Sequence, residues 1–261
     1  MSRPCSKAII VVSGLGNGVG VGAEVAKLFS KELGYRVALV SRPRKDVEDL
    51  AAGIKSEGGE AEVFSLQEYT HQEIKSVFDR MKAFWPDGRL KTAVWNTGQW
   101  SNIPFLDIAE NDIKLSVQIN VVAATAFSQE AVRMFTAPAT GEGDEGAGGT
   151  LLVTGATSAW RGSHSFGAFA AGKHGLRAIS QSIAREYGPQ GVHVAFIVID
   201  GTVLTKRTEA LFGEKKGKGW LHDEGQALSP RSIAKTYLFL HQQSRDCWTL
   251  ELDLRPAKEK F

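Results

Sequence analysis

Short β-branched and aliphatic runs alternate with longer amphipathic stretches along the whole chain. The runs fall at 8–13, 36–41, 61–66, 92–95, 150–155, 193–199 and 249–254, and helix-like segments occupy 23–33, 46–57, 72–85 and 107–135 between them. Alternation of this kind reads as βα units in a parallel sheet. The central runs are apolar on successive residues, as strands covered on both faces must be. The pattern predicts an α/β fold, a single doubly wound domain over 1–261 with a parallel sheet of about seven strands. Two polar interruptions stand out. The segment 138–149 (PATGEGDEGAGG) has nothing to bury and predicts a mobile surface loop between a long helix and a strand. The charged stretch 211–226, within 206–227, is either a lid over a substrate site or a solvated loop.

Composition narrows the function classes. With 43% hydrophobic and 23% charged residues the chain has the make-up of a soluble globular protein. A net charge of +2 is too weak a bias for nucleic-acid binding driven by phosphate contacts. Cys5 and Cys247 cannot form a disulfide framework, and no Cys or His spacing suits a metal. No apolar run reaches the length of a membrane span, so the expectation is a cytoplasmic protein acting on a small molecule. Glycine is the outlier: 28 of 261 residues, about 11%, against about 7% in average proteins.

The first glycine cluster has a chemical reading. Ile9-Ile10-Val11-Val12 leads into Ser13-Gly14-Leu15-Gly16-Asn17-Gly18-Val19-Gly20, and a helical pattern follows. Strand, glycine turn and helix in this order is the setting in which such a motif binds a dinucleotide. Gly14 permits the turn, Gly18 and Gly20 let backbone approach a pyrophosphate, and the free N–H groups of the helix start attract it. The second strand ends in Ser41-Arg42, with Arg44 beyond, where an NAD site usually carries an acid for the ribose 2′-OH. An arginine there suits a 2′-phosphate, so the expected cofactor is NADPH/NADP+.

These residues resemble the short-chain dehydrogenase/reductase family over nearly the whole chain. The family's glycine motif is similar to Ser13–20, with Ser13 in place of Thr; its Asn-Ala-Gly segment resembles Asn96-Thr97-Gly98, and its helix Asn resembles Asn120. The turn after the sixth strand matches Gly201, Val203 and Thr205, with Asp200 in place of Pro, and Gln67 stands where an acid usually flanks the adenine. The resemblance implies strand order 3-2-1-4-5-6-7, a homodimer or homotetramer, and cofactor contacts at Ser13, Gly14, Gly16, Asn17, Gly18, Val19, Gly20, Ser41, Arg42, Gln67, Asn96, Gly98, Lys173, Gly201, Val203 and Thr205. Thr205 would meet the nicotinamide carboxamide.

The active-site motif departs from the family. Its Tyr-x-x-x-Lys matches Lys173 but puts Phe169 at the Tyr, and its Ser, thirteen residues before the Tyr, is Ala156. The family's Tyr gives a proton to the substrate oxygen while the Ser polarises the same carbonyl. Phe169 and Ala156 do neither, and loss of a positioned general acid costs roughly 10²–10⁴ in rate. Ordinary ketone reduction is therefore not the expected reaction.

Replacements for the acid lie in the loop Thr157–165. An imidazole can hand over a proton and Ser158 retains a hydroxyl, so His164 and Ser158 are the candidates, though each also reads as a plain loop residue. Lys173 keeps its ribose contact without the Tyr, and Asn120 either serves the site or satisfies backbone groups in a helix kink. A cationic acceptor such as an iminium needs no acid. Trp95, Trp100, Trp160 and Trp220 fall where cofactor and substrate would lie, and could stack on a planar aromatic or cationic substrate or simply pack in the core. With Trp160 and without the Ser and Tyr, the chain is similar to a branch from fungal indole-alkaloid pathways that reduces iminium intermediates, some members guiding a Diels–Alder cycloaddition. The open alternatives are a redox-neutral cyclase or isomerase that retains the cofactor, and a non-catalytic NADP(H)-sensing protein.

Overall fold

The computed structural model describes residues 7–138, 148–216 and 219–259. Most of the loop expected at 138–149 and the Gly217-Lys218 part of the candidate lid lie outside the described residues. The strands are β1 (Ala8–Ser13), β2 (Arg36–Ser41), β3 (Ala61–Ser65), β4 (Arg89–Trp95), β5 (Gly149–Thr154), β6 (Val192–Ile199) and β7 (Glu251–Leu254). They form one sheet in the order β3-β2-β1-β4-β5-β6-β7, every neighbouring pair parallel. The expected strand order is the observed one.

Alternate residues on each strand point to opposite faces, and the chain is apolar on both. Ile9, Val11, Trp95, Leu151 and Val153 belong to one core, with helices α3 (His71–Phe84), α5 (Ala124–Phe135) and α6 (Gly167–Tyr187) over it. Ile10, Val12, Val94, Leu152 and Ile197 belong to the other, under α1 (Val21–Leu33), α2 (Lys45–Ser56) and α8 (Pro230–His241). All eight residues of β6 are buried. Among the described residues no helix is long and apolar enough to cross a membrane.

Two sequence expectations change. The helix expected over 107–135 is α4 (Glu110–Val117), a π-helical turn (Gln118–Ala123) and then α5. It starts late because the Asp112 carboxylate accepts the Ala109 N–H at 3.0 Å, fixing the first turn at 110. The strand expected from 249 starts at Glu251. Thr249 has its N–H bonded to the Gln243 side chain at 2.9 Å and its carbonyl to His193 at 2.9 Å, which removes both groups from the ladder.

The remaining helix, α7 (Lys206–Lys216), follows β6 inside the region read as a lid. It begins at Thr205, whose hydroxyl accepts the N–H of Thr208 at 3.2 Å.

Candidate functional site

The site lies where β1, β4, β5 and β6 end, the crevice that this fold offers to ligands. Gly14, Gly16 and Gly18 all have positive φ, 89°, 59° and 71°, a region closed to most side chains. At Gly14 space is decisive as well, since a Cβ there would collide with the Asn96 carbonyl carbon and the Thr97 nitrogen. Gly20 precedes α1 and offers no side-chain cap, so the helix start keeps N–H groups for an anion such as a pyrophosphate.

Asn96 ties this turn to the middle of the sheet. Its amide donates to the Gly14 carbonyl at 2.5 Å, while its Oδ1 accepts the Thr154 hydroxyl at 2.8 Å. Thr154 has spent its only proton, so the buried Tyr237 hydroxyl must donate to it across their 2.6 Å contact. Burial raises the Tyr237 pKa, which keeps that phenol protonated. Ser13 adds a 2.6 Å hydroxyl contact to Thr97.

At the end of β2 the two arginines separate. Arg44 bonds Asn17 at 2.7 Å and pairs with Asp46 at 2.5 Å, so it holds the turn to α2. Arg42 is exposed and has no ion pair among the described residues, and Ser41, buried beside it, bonds the Arg42 carbonyl at 2.7 Å. Gln67 is exposed at the end of β3, its backbone N–H held by Glu73 at 2.5 Å. Gly201 has φ 152° and packs where a Cβ would meet the Pro256 ring at 2.5 Å, while Val203 bridges to Leu228.

The centre of the crevice holds Lys173 and Asn120. Lys173 is 5% exposed; its ammonium donates to the Thr154 carbonyl at 2.9 Å and stands 5.9 Å from the centroid of the Phe169 ring. Burial alone lowers its pKa to about 8. Asn120 sits in the π turn, and its amide donates to the Ser116 carbonyl at 3.1 Å. Its buried Oδ1 has no hydrogen-bond partner among the described residues. A Cβ on Gly98 would lie 3.3 Å from Lys173 Nζ and 3.6 Å from Asn120 Oδ1, so these polar groups share one small space.

The loop candidates are not brought together. His164 is exposed, its Nδ1 2.9 Å from the Ser165 hydroxyl, and Ser158 is buried in a single 3₁₀ turn, Thr157–Ala159. The four tryptophans, readable either as site or as core residues, are dispersed as well. Trp95 is fully buried, 5.1 Å from Phe127 and 5.9 Å from Tyr69, because its place on β4 turns it into the core under α3 and α5. Trp160 donates its indole N–H to Glu251 at 2.7 Å, under the guanidinium of Arg255 at 5.7 Å. Trp220 is half-buried in the turn Trp220–His222. Trp100 stays at the crevice, 40% exposed and edge-on to Phe166 at 6.0 Å.

Two features escaped the sequence reading. Asp200, buried after β6, accepts the Thr157 hydroxyl and pairs with Arg255 at 2.5 Å, tying the loop after β5 to the segment after β7. The Asp-for-Pro replacement marked the position, but no local signal pairs residues so far apart. Arg207, near the start of α7, places its guanidinium 5.9 Å from the Trp100 ring centroid.

Comparison with known proteins agrees with this architecture. A short chain dehydrogenase/reductase of Colletotrichum higginsianum, dpchG, is 27% identical over 208 residues, 78% of this chain and 72% of that protein. A crystal structure of a short-chain dehydrogenase from Rhodopseudomonas palustris superposes with a TM-score of 0.76 at 29% identity, covering 96% of this chain and 99% of that one. A short chain dehydrogenase from Burkholderia cenocepacia in complex with NADP shares the fold at a TM-score of 0.77 and 21% identity, over 97% and 98% of the two chains. The family model for short chain dehydrogenase matches residues 7–216. With the glycine turn, the sheet order and that match in agreement, the chain belongs to the short chain dehydrogenase family.

Proposed function

We propose that this protein is an NADPH-dependent reductase of an acceptor that needs no tyrosine-derived proton, such as an iminium, or an imine already protonated on nitrogen, of specialised metabolism. The observation that carries the reading is the buried ammonium of Lys173 facing the Phe169 ring, where a hydroxyl would be needed for ordinary carbonyl chemistry. Bound NADPH supplies hydride; added to the carbon of a C=N⁺ group it leaves a neutral amine and NADP⁺, with no proton required. A ketone receiving the same hydride becomes an alkoxide and must be protonated.

The residues present fit that cofactor. The positive-φ glycines and the uncapped start of α1 suit a pyrophosphate, and Arg42, without an ion pair among the described residues, suits a 2′-phosphate. The missing Cβ of Gly98 leaves room beside Lys173, two of whose three N–H groups remain for a ribose. NADP bound by the Burkholderia cenocepacia protein supports the choice by analogy of fold. Ser13, Gly16, Asn17, Val19, Ser41, Gln67, Asn96, Gly201, Val203 and Thr205 complete the proposed cofactor site, and Asn120, Ser158, Trp160 and His164 the proposed catalytic surroundings. A homodimer or homotetramer belongs to the same reading, supported by the exposed apolar side chains Leu115, Val117 and Val122 of α4 and the π turn.

Single-turnover mixing of the NADPH-loaded protein with a stable cyclic iminium tests this reading. Loss of NADPH absorbance matched one-to-one by amine is the expected result. Product formed without NADPH consumption would favour a redox-neutral cyclase or isomerase, and tight NADPH binding without turnover of any acceptor a sensor.

A further inference from the structure

Three rings form a row from the mouth of the crevice to its centre. Trp100 meets Phe166 at 6.0 Å and 72°, and Phe166 meets Phe169 at 6.3 Å and 55°. A cation stands at each end: Arg207 is 5.9 Å from the Trp100 centroid, and Lys173 Nζ is 5.9 Å from that of Phe169. The inner ring is covered, whereas Trp100 keeps 40% of its surface open.

Arg207 is exposed and has no carboxylate partner among the described residues. The acids flanking it in sequence are engaged elsewhere, Asp200 with Arg255 and Glu209 with His222. A guanidinium lying over an indole keeps its edge N–H groups free, and that edge matches a carboxylate or phosphate with two parallel hydrogen bonds. It also occupies the position a cationic ligand would take over the same ring.

We propose that Arg207 recognises an anionic group on a planar aromatic substrate, with Trp100 and Phe166 as the surface against which that substrate's ring lies. The proposal rests on reading this crevice as the substrate site and narrows the acceptor: an iminium reduced here carries a carboxylate or phosphate on its outer side. The reducible carbon then points inward along the row, toward Phe169 and Lys173. A purely cationic substrate would enter against Arg207, exposed Lys206 and Lys173 together.

The test compares three probes of one shape by calorimetry, with and without saturating NADPH: naphthalene-2-carboxylate, 2-naphthamide and 2-naphthylmethylammonium. The carboxylate is expected to bind at least tenfold tighter than the amide, about 1.4 kcal/mol, and the ammonium weakest. Arg207→Gln removes the difference, and Arg207→Lys, which keeps charge without the planar fork, retains part of it. Arg207 is exposed, so both variants keep the fold, which a thermal melt checks. Equal binding of carboxylate and amide overturns the proposal, as does a preference that survives in Arg207→Gln or no measurable binding of any probe. A tenfold loss of NADPH affinity in Arg207→Gln also overturns it, because the arginine would then serve a cofactor phosphate. Selective carboxylate binding by a protein that takes up neither NADPH nor NADH would sink the reductase reading and leave the anion site standing.

Discussion

Lys173 and Phe169, one helical turn apart on α6, face each other with the ammonium 5.9 Å from the ring centroid. The family motif puts a phenol in that place, and here the ammonium turns to the Thr154 carbonyl at 2.9 Å. The lysine is retained, buried and hydrogen-bonded beside a ring that cannot exchange a proton.

Restoring both hydroxyls therefore tests whether the scaffold still supports carbonyl chemistry. Phe169→Tyr with Ala156→Ser is expected to raise NADPH-dependent reduction of simple ketones by roughly 10²–10⁴, the usual worth of a positioned acid. Steady-state assays of the double variant against each single one measure it. No gain would mean that the surrounding pocket, not the two hydroxyls, excludes ketones.

The buried ammonium carries a stability cost with a definite pH dependence. Lys173 has a folded pKa of about 8, below its ordinary 10.5, because burial disfavours the charge. The unfolded chain binds the proton as pH falls below 10.5 and the folded one only near 8, so the penalty grows across that interval and is complete below it. Its size is about 3 kcal/mol. Lys173→Met is expected to unfold at higher urea than the parent at pH 7, with the gain shrinking toward zero by pH 10.5. A gain that does not change with pH would place its origin in packing.

His241 gives an acid-side counterpart far from the crevice. Its Nε2 lies 2.9 Å from the Tyr35 hydroxyl, and its Nδ1 lies 3.1 Å and 3.0 Å from those of Thr92 and Thr150. Burial, then repulsion from His193 and Lys91, lowers its pKa from 6.5 to about 4. Burial also lowers the pKa of His193, stacked on Trp248 at 5.0 Å. The unfolded chain takes up these protons first, so stability is full above 6.5 and is lost as pH falls toward 4, by about 3 kcal/mol for His241. Urea titrations across this range should show a flatter profile for His241→Gln than for the parent.

At the end of β2 the two arginines are expected to behave differently. Arg42→Ala should weaken NADPH binding about tenfold, close to 1.4 kcal/mol, with NADH unaffected. Arg44→Ala, which frees Asn17 and Asp46, should weaken both cofactors alike by loosening the turn. Parallel calorimetric titrations decide it, and the opposite pattern would assign the 2′-phosphate to Arg44.

What the sequence alone determined is the part set by neighbours along the chain. A strand buried on both faces must be apolar at successive positions, as Val192–Ile199 is, and a glycine turn must sit between strand and helix, as Ser13 to Gly20 does. Lys173 and Asn120 were legible because their motifs are local. Tertiary structure decided the contacts between distant segments. Trp95 is a core residue because β4 lies between β1 and β5 with its last side chain under α3 and α5, a fact of strand order and facing. Arg44 is occupied, and Arg42 has no ion pair among the described residues, because α2 starts where Asp46 reaches Arg44. Asp200 found Arg255, and Arg207 found Trp100, only once the sheet brought the ends of β4, β6 and β7 to one side. Periodicity records which face a residue buries; which partner it meets there depends on chain closure over fifty residues or more, and no local pattern encodes that.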